Sequence, residues 1–210
     1  MRIDDEAVLW SASSADRAGR PLLVLLHGFN SHEGDLFGLA PYLPLAPAIA
    51  SLRAPIDAGY GYAWFPLLAQ GEAQALDDAD QATTAIVDWL DRVAPDTASV
   101  GLLGFSQGGA IALELLRRAP DRFAFAVSLS GFALPGVRDG DERMSQLAPP
   151  VFWGRGTDDE VIPAASVART LEWLPEHADL DARIYEGLGH SVSERELADV
   201  TAFLRAQYAS

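Results

Sequence analysis

The fold is decided by one stretch: Ser99-Val-Gly-Leu-Leu, then Gly104-Phe105-Ser106-Gln107-Gly108-Gly109, then Ala110-Ile-Ala-Leu-Glu-Leu-Leu-Arg-Arg-Ala119. An apolar run short enough for a buried strand meets a Gly-x-Ser-x-Gly turn, and apolar residues at helical spacing follow (Ile111, Ala112, Leu115, Leu116). This is the context of a nucleophile elbow, in which a strand stops abruptly, a serine stands at the apex and a helix begins beneath it. Gly104 and Gly108 lack a Cβ, so strand and helix can approach while Ser106 is held in a strained conformation. The bare five-residue pattern arises by chance in roughly one chain of this length in fifteen. Its strand-then-helix setting therefore carries the weight.

Outward from the elbow, the chain alternates strands and helices. Strands are expected over residues 7–13, 21–26, 46–52, 123–130, 150–154 and 182–186, with helices over 35–42, 72–93, 163–177 and 193–209. Asp35 reads as the N-cap of the first of these helices. The run 21–26 is apolar on both faces, as a central strand covered from both sides would be. Residues 53–66 read as an aromatic-rich loop, and 131–148 as a connection holding a short helix or a mobile flap. The expected class is α/β, a mostly parallel sheet with helices on both faces. At 210 residues without repeats or a linker-like segment, one domain spanning 1–210 is the simplest reading.

A net charge of −15 argues against a nucleic acid or anionic membrane as partner. The absence of cysteine excludes disulfides, thiolate metal sites and a cysteine nucleophile. The acidic N-terminus lacks an apolar signal region and no stretch reaches membrane-span length, so a soluble cytoplasmic protein is expected. No metal or organic cofactor is called for. A homodimer is compatible with the sequence.

A serine hydroxyl needs a base, and the base an orienting carboxylate. In open parallel sheets these groups lie just past the C-terminal ends of strands. Of four histidines, His27 ends a strand but precedes the elbow, and holding a loop is its better role. His32 reads as solvated, and His177 as a dipole contact at a helix end. His190, in Gly187-Leu188-Gly189-His190-Ser191 after the last strand, is the base by position. Asp158, Asp159 and Glu160 all follow the strand at 150–154, and position alone does not choose among them. The oxyanion donors expected are the backbone N–H of Gln107, after the nucleophile, and that of Phe29, in the loop after the first central strand.

With these groups in place, the chain resembles the small carboxylesterases of the phospholipase/carboxylesterase family, which includes acyl-protein thioesterases. The matching pieces run from about Pro21 to Leu204 in shared order. They are Leu26-His27-Gly28-Phe29, Gly34-Asp35-Leu36, Arg53-Ala54-Pro55, Ala63-Trp64-Phe65, Gly104-Phe105-Ser106-Gln107-Gly108-Gly109, Gly156-Thr157-Asp158-Asp159-Glu160-Val161-Ile162-Pro163 and Gly189-His190. The resemblance implies an α/β-hydrolase fold without a large lid domain. It implies a Ser106–Asp159–His190 triad, because the family pattern Gly-x-x-Asp-x-x-Val/Ile-Pro selects Asp159. It further implies hydrolysis of carboxylic esters, with acyl thioesters or lysophospholipids as the alternative, and the chain length, which leaves no room for a large lid domain, suggests short to medium acyl groups. A non-catalytic binding protein on the same fold is the remote one. Two departures touch the surroundings of the triad. Pro66 follows Trp64-Phe65 where many relatives have Asp, and Arg155 precedes Gly156 where many have His. Trp64 and Phe65, with Tyr60 and Tyr62, either line a substrate pocket or pack their loop onto the core.

Overall fold

A computed structural model describes residues 1–95, 97 and 99–209. In chain order the elements are β1 (Leu9–Trp10), α1 (Ser14–Arg17), β2 (Leu22–Leu26), α2 (Gly34–Phe37), β3 (Ala48–Leu52), β4 (Ile56–Asp57), β5 (Tyr62–Ala63), α3 (Glu72–Val93), β6 (Val100–Phe105), α4 (Gln107–Arg118), β7 (Phe125–Leu129), α5 (Asp141–Leu147), β8 (Pro150–Gly156), α6 (Ala164–His177), β9 (Asp179–Tyr185) and α7 (Glu194–Gln207). Seven strands form one sheet in the order β1-β3-β2-β6-β7-β8-β9. Among the described residues, only the β1–β3 pair of this sheet is antiparallel.

The apolar runs explain this architecture. Leu22, Val24 and Leu26 of β2 point into one apolar layer with Ile86 and Trp89 of α3 and Ile111 and Leu115 of α4. Leu23 and Leu25 point into the other, with Leu36 of α2 and Val200 and Leu204 of α7. Burying each such leucine is worth about 1.5–3 kcal/mol, which is why a strand hydrophobic on both faces takes the centre of a covered sheet. From β2 the chain moves outward to β3, then returns past β2 to β6 and continues the other way. The strand order thus reverses between β2 and β6, and the loops leaving their C-terminal ends flank the crevice where such sheets place their ligands.

Several expected elements differ in detail. The first strand shrinks to Leu9–Trp10, because Ser13 caps α1 by accepting from the Asp16 N–H. Asp35 is not an N-cap: it lies inside the first turn of α2, and its carboxylate accepts from the Ser31 hydroxyl at 2.6 Å. The loop at 53–66 contains a hairpin, β4 with β5. The last strand begins at Asp179 rather than Ala182, its charged alternate residues having hidden it. The 131–148 connection carries α5, and its first part is strapped down. Trp153 Nε1 donates to Gly131 O, Ala133 N to Thr170 Oγ1, and Arg169 Nε to Ala133 O.

Candidate active site

Ser106 stands between β6 and α4 with φ +54° and ψ −116°. Positive φ is costly for a residue with a Cβ, on the order of 1–3 kcal/mol, and it persists only where the surroundings impose it. The glycines around it show how. A Cβ on Gly104 would stand 2.1 Å from Gly108 O, and one on Gly108 would stand 1.9 Å from Leu26 O. Strand, helix and β2 therefore meet backbone to backbone, and no larger residue fits. The Ser106 N–H is held by Leu129 O at 2.7 Å.

His190 and Asp159 come together across the neighbouring loops: His190 Nδ1 lies 2.8 Å from Asp159 Oδ2. The His190 ring packs on that of Phe105, the residue before Ser106, with centroids 4.8 Å apart. Asp159 Oδ1 accepts from the N–H groups of Val161 and Ile162, and the Ser130 hydroxyl lies near enough to favour this carboxylate's charge. Burial works against its charge, but His190 and these donors outweigh it and hold the carboxyl below the usual range. Of the three acids left open by position, Asp159 is the one joined to His190. Thr157 Oγ1 donates to Asp158 instead, and Glu160 is exposed.

The loop after β2 lies against the elbow, where a Cβ on Gly28 would be 3.5 Å from Ser106 Cβ. His27 is fully buried beneath it. Its Nε2 accepts from the Ala54 N–H at 3.1 Å, so Nδ1 carries the proton and donates to Gly28 O at 2.7 Å. Burial lowers the His27 pKa and keeps the ring neutral. Because the peptide unit is planar and trans, turning the Gly28 carbonyl to His27 leaves the Phe29 N–H facing the opposite way. The β4–β5 hairpin braces the same loop: Asn30 N donates to Tyr62 O, and Tyr62 N to Ser31 O.

Trp64 and Phe65 are 0% and 1% exposed and pack in the core, so they do not form an open substrate wall. Their backbone does the local work. Gln107 Oε1 accepts from Trp64 N at 2.8 Å, and Gln107 Nε2 donates to Phe65 O at 2.6 Å. Leaving that buried pair unsatisfied would cost several kcal/mol, so the Gln107 side chain fixes the aromatic loop to the elbow. Tyr62 lies under the Arg53 guanidinium, and Tyr60 stands exposed at the hairpin tip. His32 is exposed, and His177 stacks on Trp173. Among the described residues, no group of three or more His, Asp or Glu side chains is arranged to hold a metal, and no helix is long and apolar enough to cross a membrane.

One acid near the site has no counterpart in the sequence reading. Ser193 caps α7, and Glu196 three residues later follows the capping-box pattern. Its carboxyl turns inward, however, so that a Cβ on Gly154 of β8 would be 2.3 Å from Oε1. Glu196 is 1% exposed, and neither oxygen meets a hydrogen-bond partner at good geometry. Burial raises its pKa to about 7; the nearby Ser193 backbone opposes this and the Asp199 charge adds to it. The folded-state value lies above the unfolded one. Its contribution to stability is therefore complete below the unfolded pKa of about 4.5 and is lost as pH rises through 7. Glu196→Gln, uncharged throughout, is expected to escape this loss, gaining on the order of 3 kcal/mol on wild type between pH 4.5 and pH 8. Urea unfolding of both proteins at several pH values measures it, and parallel pH curves would show that the ionised carboxyl is solvated.

Comparison with known proteins agrees with the fold. The family model described as phospholipase/carboxylesterase matches residues 10–208. Acyl-protein thioesterase 1 of Kluyveromyces lactis is 29% identical over 92% of this chain and 94% of its own length. The crystal structure of esterase PE8 superposes with a TM-score of 0.80 at 26% identity, covering 98% of this chain and 99% of that one. A Bacillus cereus carboxylesterase gives 0.80 at 21% identity over 95% and 93% of the two chains, a likeness of fold. With a family match across nearly its whole length and a mostly parallel sheet bearing an elbow at the strand-order reversal, the chain belongs to the phospholipase/carboxylesterase family of α/β-hydrolases.

Proposed function

We propose that the protein is a serine hydrolase of carboxylic esters. The observation that carries this reading is the strained Ser106 at the β2–β6 crevice, with a His190 that packs on the adjacent Phe105 and is already paired with Asp159. Ser106 Oγ attacks the ester carbonyl while His190 Nε2 takes its proton. The tetrahedral intermediate collapses, His190 returns the proton to the departing alcohol, and an acyl-enzyme remains on Ser106. Water, activated by the same imidazole, then releases the acid. Asp159 holds His190 in the tautomer with the proton on Nδ1 and stabilises the imidazolium. The N–H groups of Phe29 and Gln107 receive the oxyanion, the first aimed by the His27 bond to Gly28 O. The chemistry calls for no metal or organic cofactor.

The substrate is a small ester of short to medium acyl length. The two longest connections are both occupied elsewhere, 131–148 by its strap and 53–66 by the hairpin, so neither serves as a lid. The second reading, an acyl thioesterase, is favoured by the name of the Kluyveromyces lactis relative. Parallel rates on acyl esters and acyl thioesters of matched chain length separate the two. The test of the site itself is covalent: a fluorophosphonate is expected to label one residue, Ser106, identified by peptide mass. A folded protein that stays unlabelled, or labels elsewhere, would sink the assignment.

A further inference from the structure

The last strand of the sheet leaves its outer edge open. Among the described residues β9 pairs only with β8, and Ala182, Arg183 and Ile184 are exposed, Ile184 by 54%. Asp179 N donates to Pro149 O and Tyr185 O accepts from Thr157 N, so the odd-numbered residues turn their backbone groups inward to β8. By strand alternation, Leu180, Ala182 and Ile184 turn theirs outward, with no partner among the described residues. A strand edge of this length is a template for pairing with another chain.

We infer that this edge joins two copies of the protein, β9 to β9 in antiparallel sense about a two-fold axis through Ala182. Backbone groups pointing outward bond only to others pointing outward, so even-numbered residues must face even-numbered ones and the axis passes through a residue. An axis through Asp181 sets two aspartates face to face, and one through Arg183 sets two arginines face to face. Both oppose association. The axis through Ala182 instead places Asp181 opposite the partner's Arg183, twice over. It sets Leu180 opposite the partner's Ile184, and the smallest side chain of the strand meets its own copy. Asp181 and Arg183 are already paired within the chain at 2.6 Å, so both charges are extended and exchange partners without new burial.

The helix layer agrees with this register. Leu180, Ala182 and Ile184 lie alongside Val151, Trp153 and Arg155, on the α6 face of the sheet. A two-fold axis normal to the sheet keeps α6 of both copies on one side. Leu171 of α6 is 51% exposed and shares a cavity of about 430 Å³ with Val167, Ala168 and Arg155, the strand neighbour of Ile184. The two helices would then cover each other's exposed leucine, as a self-complementary interface requires.

The full chain tested by analytical ultracentrifugation at physiological ionic strength, over a wide concentration range, is expected to show a monomer–dimer equilibrium. Ala182→Pro removes an outward N–H without touching the bonds to β8, and proline is tolerated on edge strands. It is expected to weaken association at least about tenfold while unfolding temperature and ester hydrolysis stay at wild-type level. Asp181→Arg, on an already solvent-facing pair, should do the same by setting like charges opposite each other. Adding Arg183→Asp to it should restore the dimer. A monomeric wild type, a dimer indifferent to both single changes, or failure of the double variant to recover would each overturn the proposal, the first meaning that the charges simply guard the edge.

Discussion

Ser106→Ala is expected to lower kcat on a p-nitrophenyl ester by about 10⁶-fold, with KM and the unfolding temperature near wild type. The size follows from losing the nucleophile outright while the rest of the machinery stays. Alanine at position 106 keeps a Cβ, so the backbone remains at the same cost at φ +54°, and the Gly104 and Gly108 contacts that impose it are untouched. The His190–Asp159 pair and the Phe29 and Gln107 amides also remain. What persists is about 10³–10⁴-fold over water, the share that binding and oxyanion donors supply alone. Initial rates and thermal unfolding on the same preparation measure both halves of the expectation. Turnover unchanged by the substitution would place the activity elsewhere and leave the fold as a binding scaffold.

The parts of this molecule that can be read from sequence are those whose cause is local. β2 and β6 are short apolar runs ended by glycine, and α3 shows its bounds, Glu72–Val93, through alanines, Ile86 and Trp89 at helical spacing. The elbow is five consecutive residues. Asp159 and His190 are 31 residues apart, yet the rule that catalytic groups follow strand ends brings each within a few positions. Polar residues whose partners lie far along the chain are not readable in this way. Gln107 reads as an oxyanion donor through its backbone N–H, yet its side-chain amide is committed to a loop about 43 residues earlier. Glu196 stands in the first turn of its helix, where a carboxylate is ordinarily solvated, and is instead buried against Gly154. Aromatic Trp64 and Phe65 read equally well as pocket or packing, and only their burial decides. In each case a tertiary partner, not the residue's own propensity, sets the environment.

Arg117→Met is expected to destabilise the protein by about 3–5 kcal/mol, because the change removes one member of a buried charge network and strands the others. Arg117 is 1% exposed at the end of the elbow helix. Nε and Nη2 donate to the two oxygens of Asp141, at 2.7 and 2.8 Å, and Nη1 donates to Glu114 Oε1 at 2.7 Å. Leu134 O and Gly136 O take further bonds, and the guanidinium lies 4.7 Å over the Trp173 ring. Burial disfavours its charge, but Asp141 and Glu114 outweigh this and raise its pKa above the ordinary arginine value. The same guanidinium overcomes the burial that would raise Asp141 and holds that carboxyl low. Methionine fills much the same volume, so the loss measures stranded acids more than a cavity.

The network ties α4, and through it the elbow, to the chain segment leaving Ser130, whose hydroxyl helps to favour the charge of Asp159. Arg117 is therefore the fastening that keeps the 131–141 segment from behaving as a flap. A variant that also replaces the stranded acids, Arg117→Met with Asp141→Asn and Glu114→Gln, should recover much of the lost stability, since neutral amides are far cheaper to bury than unpaired carboxylates. Arg138, which donates to Glu114 Oε2 at 3.1 Å, limits that recovery by losing its own acceptor's charge. Urea unfolding at neutral pH of wild type, single and triple variants decides the matter. A single variant within about 1 kcal/mol of wild type would mean that water reaches Asp141 and Glu114, and that packing rather than charge holds the strap in place.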